Sequence, residues 1–360
     1  ARTTFARIHD VTFRDNSVIN HQSHFGIDHL INPEALAAVE LAKRIRNPGR
    51  VAVEDFGRGQ IEVKKVIVQK GATIIGKPLH EQKLPGNIRV GLIFREGKTI
   101  VAKANSVLHA GDEVTLFGHP DSIFESQALF DPTSKGSQKI SVTLLTGSEI
   151  SISLIRLLNN PRFKLRIIER DLATCKKLSV THPQVTIIHG EGTSLRVLEE
   201  EEVGESDFFV ACSKDDEDNI MTCLQAHKLG ARRTLLAINR ADYLEILDKL
   251  KDSLGVDLAV SPRIAATNEI LRYIGKKPYM EVGDQGDETT TLIEARVGPN
   301  STVIGKSLRE IPLPDECVIV GLEHNYRPKM PTGDDVLHAG DSLIAVIGKE
   351  QMKSFLKLIR

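Results

Sequence analysis

The segment with the clearest potential for chemistry is the turn TGSEIS at residues 146–151, which follows a short apolar run. A dinucleotide fingerprint would read GxGxxG at this point, with an acidic residue about 20 positions later. Glu169 supplies that acid at the end of the next apolar run, where its carboxylate could accept both ribose hydroxyls of a nucleotide. The spacing therefore predicts a nucleotide site at the carboxyl edge of a parallel sheet.

The same turn departs from the fingerprint where glycine matters most. Its three glycine positions hold Thr146, Ser148 and Ser151, and Gly147 alone lets the backbone approach a phosphate closely. Glu149 also places a carboxylate at the helix N-terminus that would otherwise hold a pyrophosphate. A capped helix without a phosphate is therefore as consistent with this turn as a nucleotide site.

Two further polar turns follow apolar runs. HGEGTS at 189–194 fits either the ligand-binding edge of a sheet or a plain helix cap. CSKDDEDN at 212–219 crowds acids at a helix N-terminus, where the dipole favours them, and metal binding by these acids is the lesser interpretation. The acids concerned are Asp215, Asp216 and Asp218.

Histidines cluster in NHQSHFGIDH, as His21, His24 and His29. No cysteine or glutamate completes a zinc set with them, so a solvated helix end is the favoured interpretation. The sequence also lacks a nucleophile elbow and an ordered His–Asp–Ser set. We therefore expect no metal site, no catalytic residues and no enzyme activity.

The elements that must position these turns alternate regularly. Between Lys139 and Ile274, apolar runs of about five residues alternate with helical segments, which is typical of a doubly wound parallel sheet of the Rossmann type. Asp171 is a predicted N-cap, Gly230 a predicted left-handed stop, and Pro262 opens the last helix. The remainder reads as a small α+β module with three strands and a closing helix.

An internal repeat divides the chain. IIGKPL at 74–79 returns as VIGKSL at 303–308, and LHAGD at 108–112 returns at 337–341. Both pairs have the same offset of 229 residues (305 − 76 and 340 − 111). We call residues 1–130 copy one and residues 139–360 copy two.

The counterpart of residues 139–230 does not precede Ala1, so we expect the first large domain to lack its N-terminal half. Four domains are predicted: residues 1–57 and 58–130 in copy one, then 137–280 and 286–360 in copy two. The α/β fold class is thus a complete Rossmann-like sheet in copy two and a partial one in copy one, each followed by a small module. A linker rich in turn residues, 131–138, separates the copies.

Composition excludes several classes of protein. Lys and Arg number 47 against 48 Asp and Glu, so the chain lacks the basic excess that binds nucleic acid. No run approaches the ~18 apolar residues of a membrane span, and no signal peptide is visible. The four cysteines form no CxxC pair, which favours a reduced, cytosolic protein.

The combination of motifs resembles a known family. IIERD, HGEGT and ACSKDDEDNIMTCLQAHKLGARR follow successive strands, and a module with VIGKSL and LHAGDSLIAVIG comes next, all within a duplicated chain. This arrangement resembles the RCK (regulator of potassium conductance) family, in the duplicated form of TrkA-type potassium-uptake regulatory subunits. The resemblance covers essentially the whole chain.

The resemblance implies regulatory binding of NAD(H), ATP or ADP without turnover. The family's ribose acid falls on Glu169, and its residue pair after the fourth strand on Ser213 and Lys214. Its glycine loop falls on Thr146, Gly147, Ser148, Glu149 and Ser151. Its phosphate-side arginine falls on Arg7 in copy one but on Ile238 in copy two. We therefore expect copy two to be a degenerate, mainly structural lobe and copy one to contain the competent site.

The resemblance also implies partners and location. It implies a homo-oligomeric gating ring, a tetramer of the full-length chain, that lies in the cytoplasm at the inner face of the membrane and acts on an integral-membrane potassium transporter subunit. Regulation of another cation channel or antiporter is an alternative, and a nicotinamide-dependent oxidoreductase is a weaker one. The helices Pro33–Ile45 and Pro262–Ile274 are predicted to pair lobes through their apolar faces.

Overall fold

The computed structural model describes residues 4–9, 24–46, 55–56, 61–85, 87–133, 139–274, 279–281, 289–324 and 327–360. His21 and residues 134–138 of the predicted linker lie outside these ranges. The chain forms two compact units. The Rossmann unit comprises residues 1–48 and 137–274, and the module unit comprises 49–136 and 275–360. Each unit therefore contains part of both sequence copies.

Copy one contributes a short parallel pair of strands and a helix to the Rossmann unit. Strands β1 (Phe5–Arg7) and β2 (His29–Ile31) pair in parallel, and helix α1 (Pro33–Arg46) follows. Asn32 begins this helix: its side-chain oxygen accepts from the amide of Ala35 at 2.7 Å. These elements lie within residues 1–57, which the sequence analysis assigns to a first Rossmann-like domain.

Copy one then contributes a five-stranded antiparallel sheet to the module unit, in the order β3-β4-β7-β5-β6. Its elements are β3 (Asp55–Phe56), β4 (Ile61–Ile67), β5 (Ile88–Arg95), β6 (Lys98–Val101), β7 (Glu113–Gly118), α2 (Pro120–Glu125) and α3 (Gln127–Phe130). A 3₁₀ turn lies at Leu79–Glu81.

Copy two begins with a six-stranded sheet in which all strands are parallel, in the order β10-β9-β8-β11-β12-β13. The strands are β8 (Ile140–Leu145), β9 (Phe163–Glu169), β10 (Thr186–His189), β11 (Phe208–Ala211), β12 (Thr234–Ala237) and β13 (Leu258–Val260). The helices are α4 (Glu149–Leu157), α5 (Leu172–Thr181), α6 (Leu195–Glu200), α7 (Asp216–Leu229), α8 (Ala241–Leu254) and α9 (Pro262–Ile274).

This order is that of a doubly wound Rossmann sheet, so the predicted fold class is confirmed. The predicted helix signals are also present. Asp171 caps α5 by accepting the amide of Thr174, and Gly230 ends α7 with a φ of 112°. A 3₁₀ turn at Val203–Glu205 precedes β11.

Both faces of the parallel sheet are covered, and residues along each strand alternate between them. Val142 and Leu144 belong to one apolar cluster, whereas Leu145 belongs to the other. Helices α6, α7 and α8 supply side chains to the second cluster, whereas α4 and α5 supply them to the first. Near-continuous apolar strands are therefore required, as in other buried parallel sheets.

Helix α1 of copy one packs mainly against α4 and α9, and its apolar side chains join the cluster on the first face. Its buried stripe belongs to the same apolar cluster as Val142 and Leu144, and comprises Ala37, Ala38, Leu41, Ala42 and Ile45, all at 0% exposure. Its C-terminal end is held reciprocally: the guanidinium of Arg46 donates to the carbonyl of Leu157, and that of Arg162 donates to the carbonyl of Arg46 at 2.9 Å. Copy one thus forms part of the core of copy two.

The second module repeats the topology of the first. Its sheet order is β14-β15-β18-β16-β17, and its elements are β14 (Tyr279–Glu281), β15 (Thr290–Arg296), β16 (Cys317–His324), β17 (Arg327–Lys329), β18 (Ser342–Gly348) and α10 (Met352–Ile359). A 3₁₀ turn at Lys349–Gln351 precedes α10. Strands β14 and β17 were not predicted from the sequence.

The repeated glycines have the same backbone role in both modules. Gly111 and Gly340, in the two LHAGD segments, have φ values of 92° and 87°, and their amides donate to Val68 and Val297. Left-handed φ favours glycine because it has no Cβ. The repeat therefore preserves the turn that leads into β7 and β18.

The two modules pack against each other through a shared apolar cluster. Copy one contributes Ile61, Val63, Leu92, Val101 and Phe117, and copy two contributes Leu292, Val320, Ile344 and Val346. At the edge of this contact, Arg89 Nε donates to the carbonyl of Pro331 at 3.0 Å, and burial lowers the pKa of Arg89. Each module also has an apolar cluster of its own, so the shared cluster joins two separate cores.

The role of α1 predicts a stability effect. Leu41→Ala should destabilise the Rossmann unit by about 3 kcal/mol, because it leaves a cavity in the apolar cluster that α1 shares with copy two. Leu172→Ala is the control, since Leu172 is 49% exposed on α5. Urea unfolding followed by circular dichroism measures both, and equal midpoints for the two variants would contradict the burial of α1.

Candidate functional site

The candidate site is the carboxyl edge of the parallel sheet. Strands β8, β9 and β11 are hydrogen-bonded neighbours and end at Leu145, Glu169 and Ala211. Of the residues predicted for nucleotide binding in copy two, Thr146 follows β8 directly, Glu169 is the last residue of β9, and Ser213 lies two residues after β11. In open α/β sheets, ligands bind at this edge where the strand order reverses, here between β8 and β11.

Glu169 is the most strongly bonded group of the edge. It is 5% exposed, and its Oε2 accepts from the hydroxyl of Thr146 and the amide of Gly147, both at 2.7 Å. Its Oε1 accepts from the amide of Asp171 at 2.8 Å. Both carboxylate oxygens are therefore engaged by the chain itself.

These hydrogen bonds set the charge of Glu169. Burial by itself would raise its pKa, but the bonds from Gly147, Asp171 and Thr146 outweigh burial and hold the pKa below its ordinary value. Glu169 is therefore a carboxylate at neutral pH. It links the end of β9 to the turn after β8, the same turn that the sequence predicts as a phosphate loop.

The turn itself is tightly fitted. Thr146 has a φ of 64°, which is unusual for a residue with a branched side chain. A Cβ at Gly147 would lie 2.8 Å from Leu178 and 2.9 Å from Thr174, so only glycine fits without displacement. Because side chains of α5 fill the space beside Gly147, the turn is closely packed on that side.

Helix α4 is capped by its own serines. The hydroxyl of Ser148 accepts from the amide of Ser151 at 3.2 Å, and the hydroxyl of Ser151 lies 3.2 Å from it. Glu149 is exposed in the first helical turn, as the sequence predicts. The N-terminus of α4 therefore has a side-chain cap and a nearby negative charge, both of which compete with a bound phosphate.

Ser213 and Lys214 lie in the turn after β11. The amide of Ser213 donates to the side chain of Asn219 at 2.9 Å, and its hydroxyl accepts from the amide of Asp215 at 3.1 Å. Lys214 is exposed. The structure thus brings Ser213 and Lys214 to the same sheet edge as Glu169 and the 146–151 turn.

Arg7 is placed elsewhere. It ends β1 in the separate two-stranded sheet of copy one, its side chain is 58% exposed, and its guanidinium lies 4.0 Å from Glu34. Arg7 is therefore not part of the edge formed by β8, β9 and β11. It belongs to the corresponding edge of copy one.

The acids after β11 have structural roles. Asp216, which is 4% exposed, accepts from the amides of Asn239 and Arg240 at 2.9 Å each. Asp215 caps α7 by accepting the amide of Asp218. The bonds of Asp216 join the turn after β11 to the turn after β12. The sequence analysis assigned these acids to the helix dipole, with metal binding as the lesser interpretation, and did not predict this link.

The fold defines a Rossmann-like protein with a duplicated small module. The TrkA-C domain family matches residues 63–130 and 292–360, and the TrkA-N domain family matches residues 142–262. The chain belongs to the family of proteins built from TrkA-N and TrkA-C domains. The RCK-type resemblance seen in the sequence is thereby confirmed.

Curated relatives match nearly the whole chain. "Trk system potassium uptake protein TrkA homolog 1" of Methanosarcina mazei is 26% identical over 342 residues, which is 95% of this chain and 75% of the relative. "Trk system potassium uptake protein TrkA homolog" of Archaeoglobus fulgidus is 27% identical over 363 residues, which is 100% of this chain and 80% of the relative.

Among solved structures, the chain is similar to the GsuK RCK domain, with 17% identity, a TM-score of 0.46, and coverage of 100% of this chain and 80% of that one.

None of the helices in the described ranges combines the length and apolar character that a membrane span requires.

The bonding of Glu169 predicts a pH-dependent stability. Glu169→Gln should destabilise the Rossmann unit by about 2 kcal/mol at pH 7, because hydrogen bonds to a charged acceptor are lost. The folded pKa is lowered below the ordinary 4.5, so the contribution is present above pH 4.5 and is lost as the pH falls through the folded pKa. The difference in the free energy of unfolding between wild type and Glu169→Gln should therefore become smaller below pH 4.5.

Thermal unfolding between pH 7 and pH 3 measures the stability difference between wild type and Glu169→Gln. Glu149→Gln is the matched control, since Glu149 is an exposed glutamate in the same segment and should change stability much less. If the stability difference between wild type and Glu169→Gln stays constant down to pH 3, the assigned role of the carboxylate is contradicted.

Proposed function

We propose that this protein is a regulatory subunit of a Trk-type potassium-uptake system. The observation that carries the proposal is the co-occurrence, across most of one chain, of a TrkA-N match, two TrkA-C matches and relatives named for potassium uptake. The membrane partner is an integral potassium transporter subunit, and the protein acts from the cytoplasmic face. The four-domain division given above belongs to this proposal.

The regulatory ligand is NAD(H), ATP or ADP, bound without turnover. A ligand of this kind shifts the partner only through its different affinity for two states of the regulator. The carboxyl edge of a Rossmann-like sheet is where such a ligand binds, and Glu169, Ser213 and Lys214 lie there in copy two.

Copy two is the weaker of the two nucleotide sites. Glu169 is nearly buried and already accepts from Thr146, Gly147 and Asp171, and Ser148 already caps α4. A nucleotide would have to replace these bonds. Arg7, by contrast, is exposed, with Glu34 at 4.0 Å, and serves the phosphate side of the copy-one site.

Nucleotide titration distinguishes the two sites. We expect calorimetry of this chain with NADH, NAD, ATP and ADP to give no binding tighter than about 1 mM. In a longer chain that includes a copy-one counterpart of residues 139–230, binding should appear and Arg7→Ala should weaken it about tenfold. Arg170→Ala is the control, since Arg170 is an exposed arginine at the copy-two edge. Micromolar binding to the present chain that Glu169→Gln abolishes would assign the site to copy two instead.

The transport role has its own test. Cells without potassium uptake should grow at low potassium when they express a Trk-type membrane subunit from the same genome together with this protein, and less well without it. Rubidium influx measures the effect directly. Influx that does not depend on the protein would contradict the proposed partner and favour another channel or antiporter.

The proposed homo-oligomer uses the exposed face of α9. Ile264 and Leu271 are 42% and 59% exposed, one above the other at i and i+7, while α1 of copy one also contacts this helix. Apolar side chains on one helical face are a common association surface. We therefore propose that α9, which contacts α1 within the chain, also joins the chain to a second copy through its exposed face.

Light scattering at micromolar concentration measures this association. Ile264→Asp with Leu271→Asp should convert the oligomer to a monomer, because two charges would enter an apolar interface. Val180→Asp is the control, since Val180 is 80% exposed on α5. A wild-type monomer would contradict the proposal.

A further inference from the structure

Three side chains of the second module converge at the end of the β16–β17 hairpin. They are His324, the last residue of β16, and His338 and Asp341 of the LHAGD turn before β18. One ligand atom from each lies within 4.8 Å of the others. His324 Nδ1 is 2.7 Å from Asp341 Oδ1, and the two imidazole centroids are 4.5 Å apart.

The first module contains the same turn with a different partner. Residues 95, 109 and 112 correspond to 324, 338 and 341 at the offset of 229, but residue 95 is arginine. Arg95 donates to both oxygens of Asp112 at 2.7 Å each, and the amide of His109 donates to Asp112 at 2.8 Å. A fixed cation therefore neutralises the buried aspartate of copy one.

In copy two the aspartate is present as Asp341, but histidine replaces the arginine at position 324. Asp341 is 3% exposed and accepts the amide of His338 at 2.8 Å, as Asp112 accepts that of His109. Position 324 offers an imidazole, whose ring nitrogens can ligate a metal ion, in place of a guanidinium, which has no acceptor atom. Charges that are buried in proteins are normally paired or coordinate a metal.

The geometry points to a binding site for a divalent transition metal, with His324, His338 and Asp341 as its ligands. Imidazole and carboxylate ligands suit zinc, and three protein ligands with one open position are a known zinc arrangement. The metal would supply the positive charge that Arg95 supplies in copy one. This site lies in a TrkA-C module and is separate from the nucleotide edge.

Binding requires only a small rearrangement. Ligand atoms around tetrahedral zinc lie about 3.4 Å apart, given bond lengths near 2.1 Å. His338 is 55% exposed and can rotate inwards, whereas Asp341 is held by its backbone bond. The hairpin register places Arg327 opposite His324 and Lys98 opposite Arg95, so both copies have a basic neighbour there. That neighbour does not explain the difference between the copies.

Exchanging the residue at one position in each copy tests the site. His324→Arg copies the arrangement of the first module, so the turn should fold while the metal site is lost. Arg95→His creates the second-module arrangement in copy one. The whole chain, stripped with a chelator, is titrated with Zn²⁺ by calorimetry and with Co²⁺ by visible absorption, and Mg²⁺ serves as the unsuited ion.

Relative to wild type, His324→Arg should bind one Zn²⁺ fewer and Arg95→His one more, while His338→Ala should weaken the site at least about tenfold. Histidines elsewhere, such as those at 21–29, contribute equally to every variant and cancel in the difference. If His324→Arg fails to fold, His324→Gln replaces it. Equal stoichiometry and affinity in wild type and the position-324 variant would overturn the proposal and leave a simple His–Asp hydrogen bond.

Discussion

The architecture depends on one requirement: a parallel sheet that is apolar on both faces must be covered on both. In copy two, α1 of copy one joins the helical layer on one face. Its stripe of alanines with Leu41 and Ile45 is fully buried, and the helix packs mainly against α4 and α9. The small alanine side chains let the helix pack closely. Its C-terminal end is held by two hydrogen bonds, from Arg46 to the carbonyl of Leu157 and from Arg162 to the carbonyl of Arg46. The two sequence copies are therefore one packing unit at this point.

Much of the fold could be predicted from the sequence, because it depends on local signals. Alternating apolar runs gave the six parallel strands, and Asp171 and Gly230 marked helix ends that the structure contains. The contact of α1 with α9 agrees with the predicted pairing of these two helices, whereas its more extensive packing against α4 could not be predicted, because an apolar stripe specifies that it is buried but not against which element. Strands β14 and β17 were missed because each is three residues long and gains its pairing from a neighbour.

The closeness of Glu169 to the 146–151 turn was predictable from the sequence, but the hydrogen bonds between them were not. Spacing alone placed Glu169 beside the 146–151 turn, yet its acceptance of the Thr146 hydroxyl and the Gly147 amide depends on tertiary geometry. The convergence of His324, His338 and Asp341 was missed for a different reason. The repeat aligned both LHAGD segments, but the informative change from arginine to histidine lies 17 residues before the aspartate and has meaning only once the hairpin is folded.

The burial of α1 also has a consequence for the order of events on the ribosome. Arg46 and its acceptor Leu157 are 111 residues apart in sequence, so α1 is made long before α4, the helix that it packs against most extensively. At about 5–20 residues per second, roughly 5–20 s separate the synthesis of the two helices. The contact between α1 and α4 therefore forms only after the first part of copy two has been synthesised.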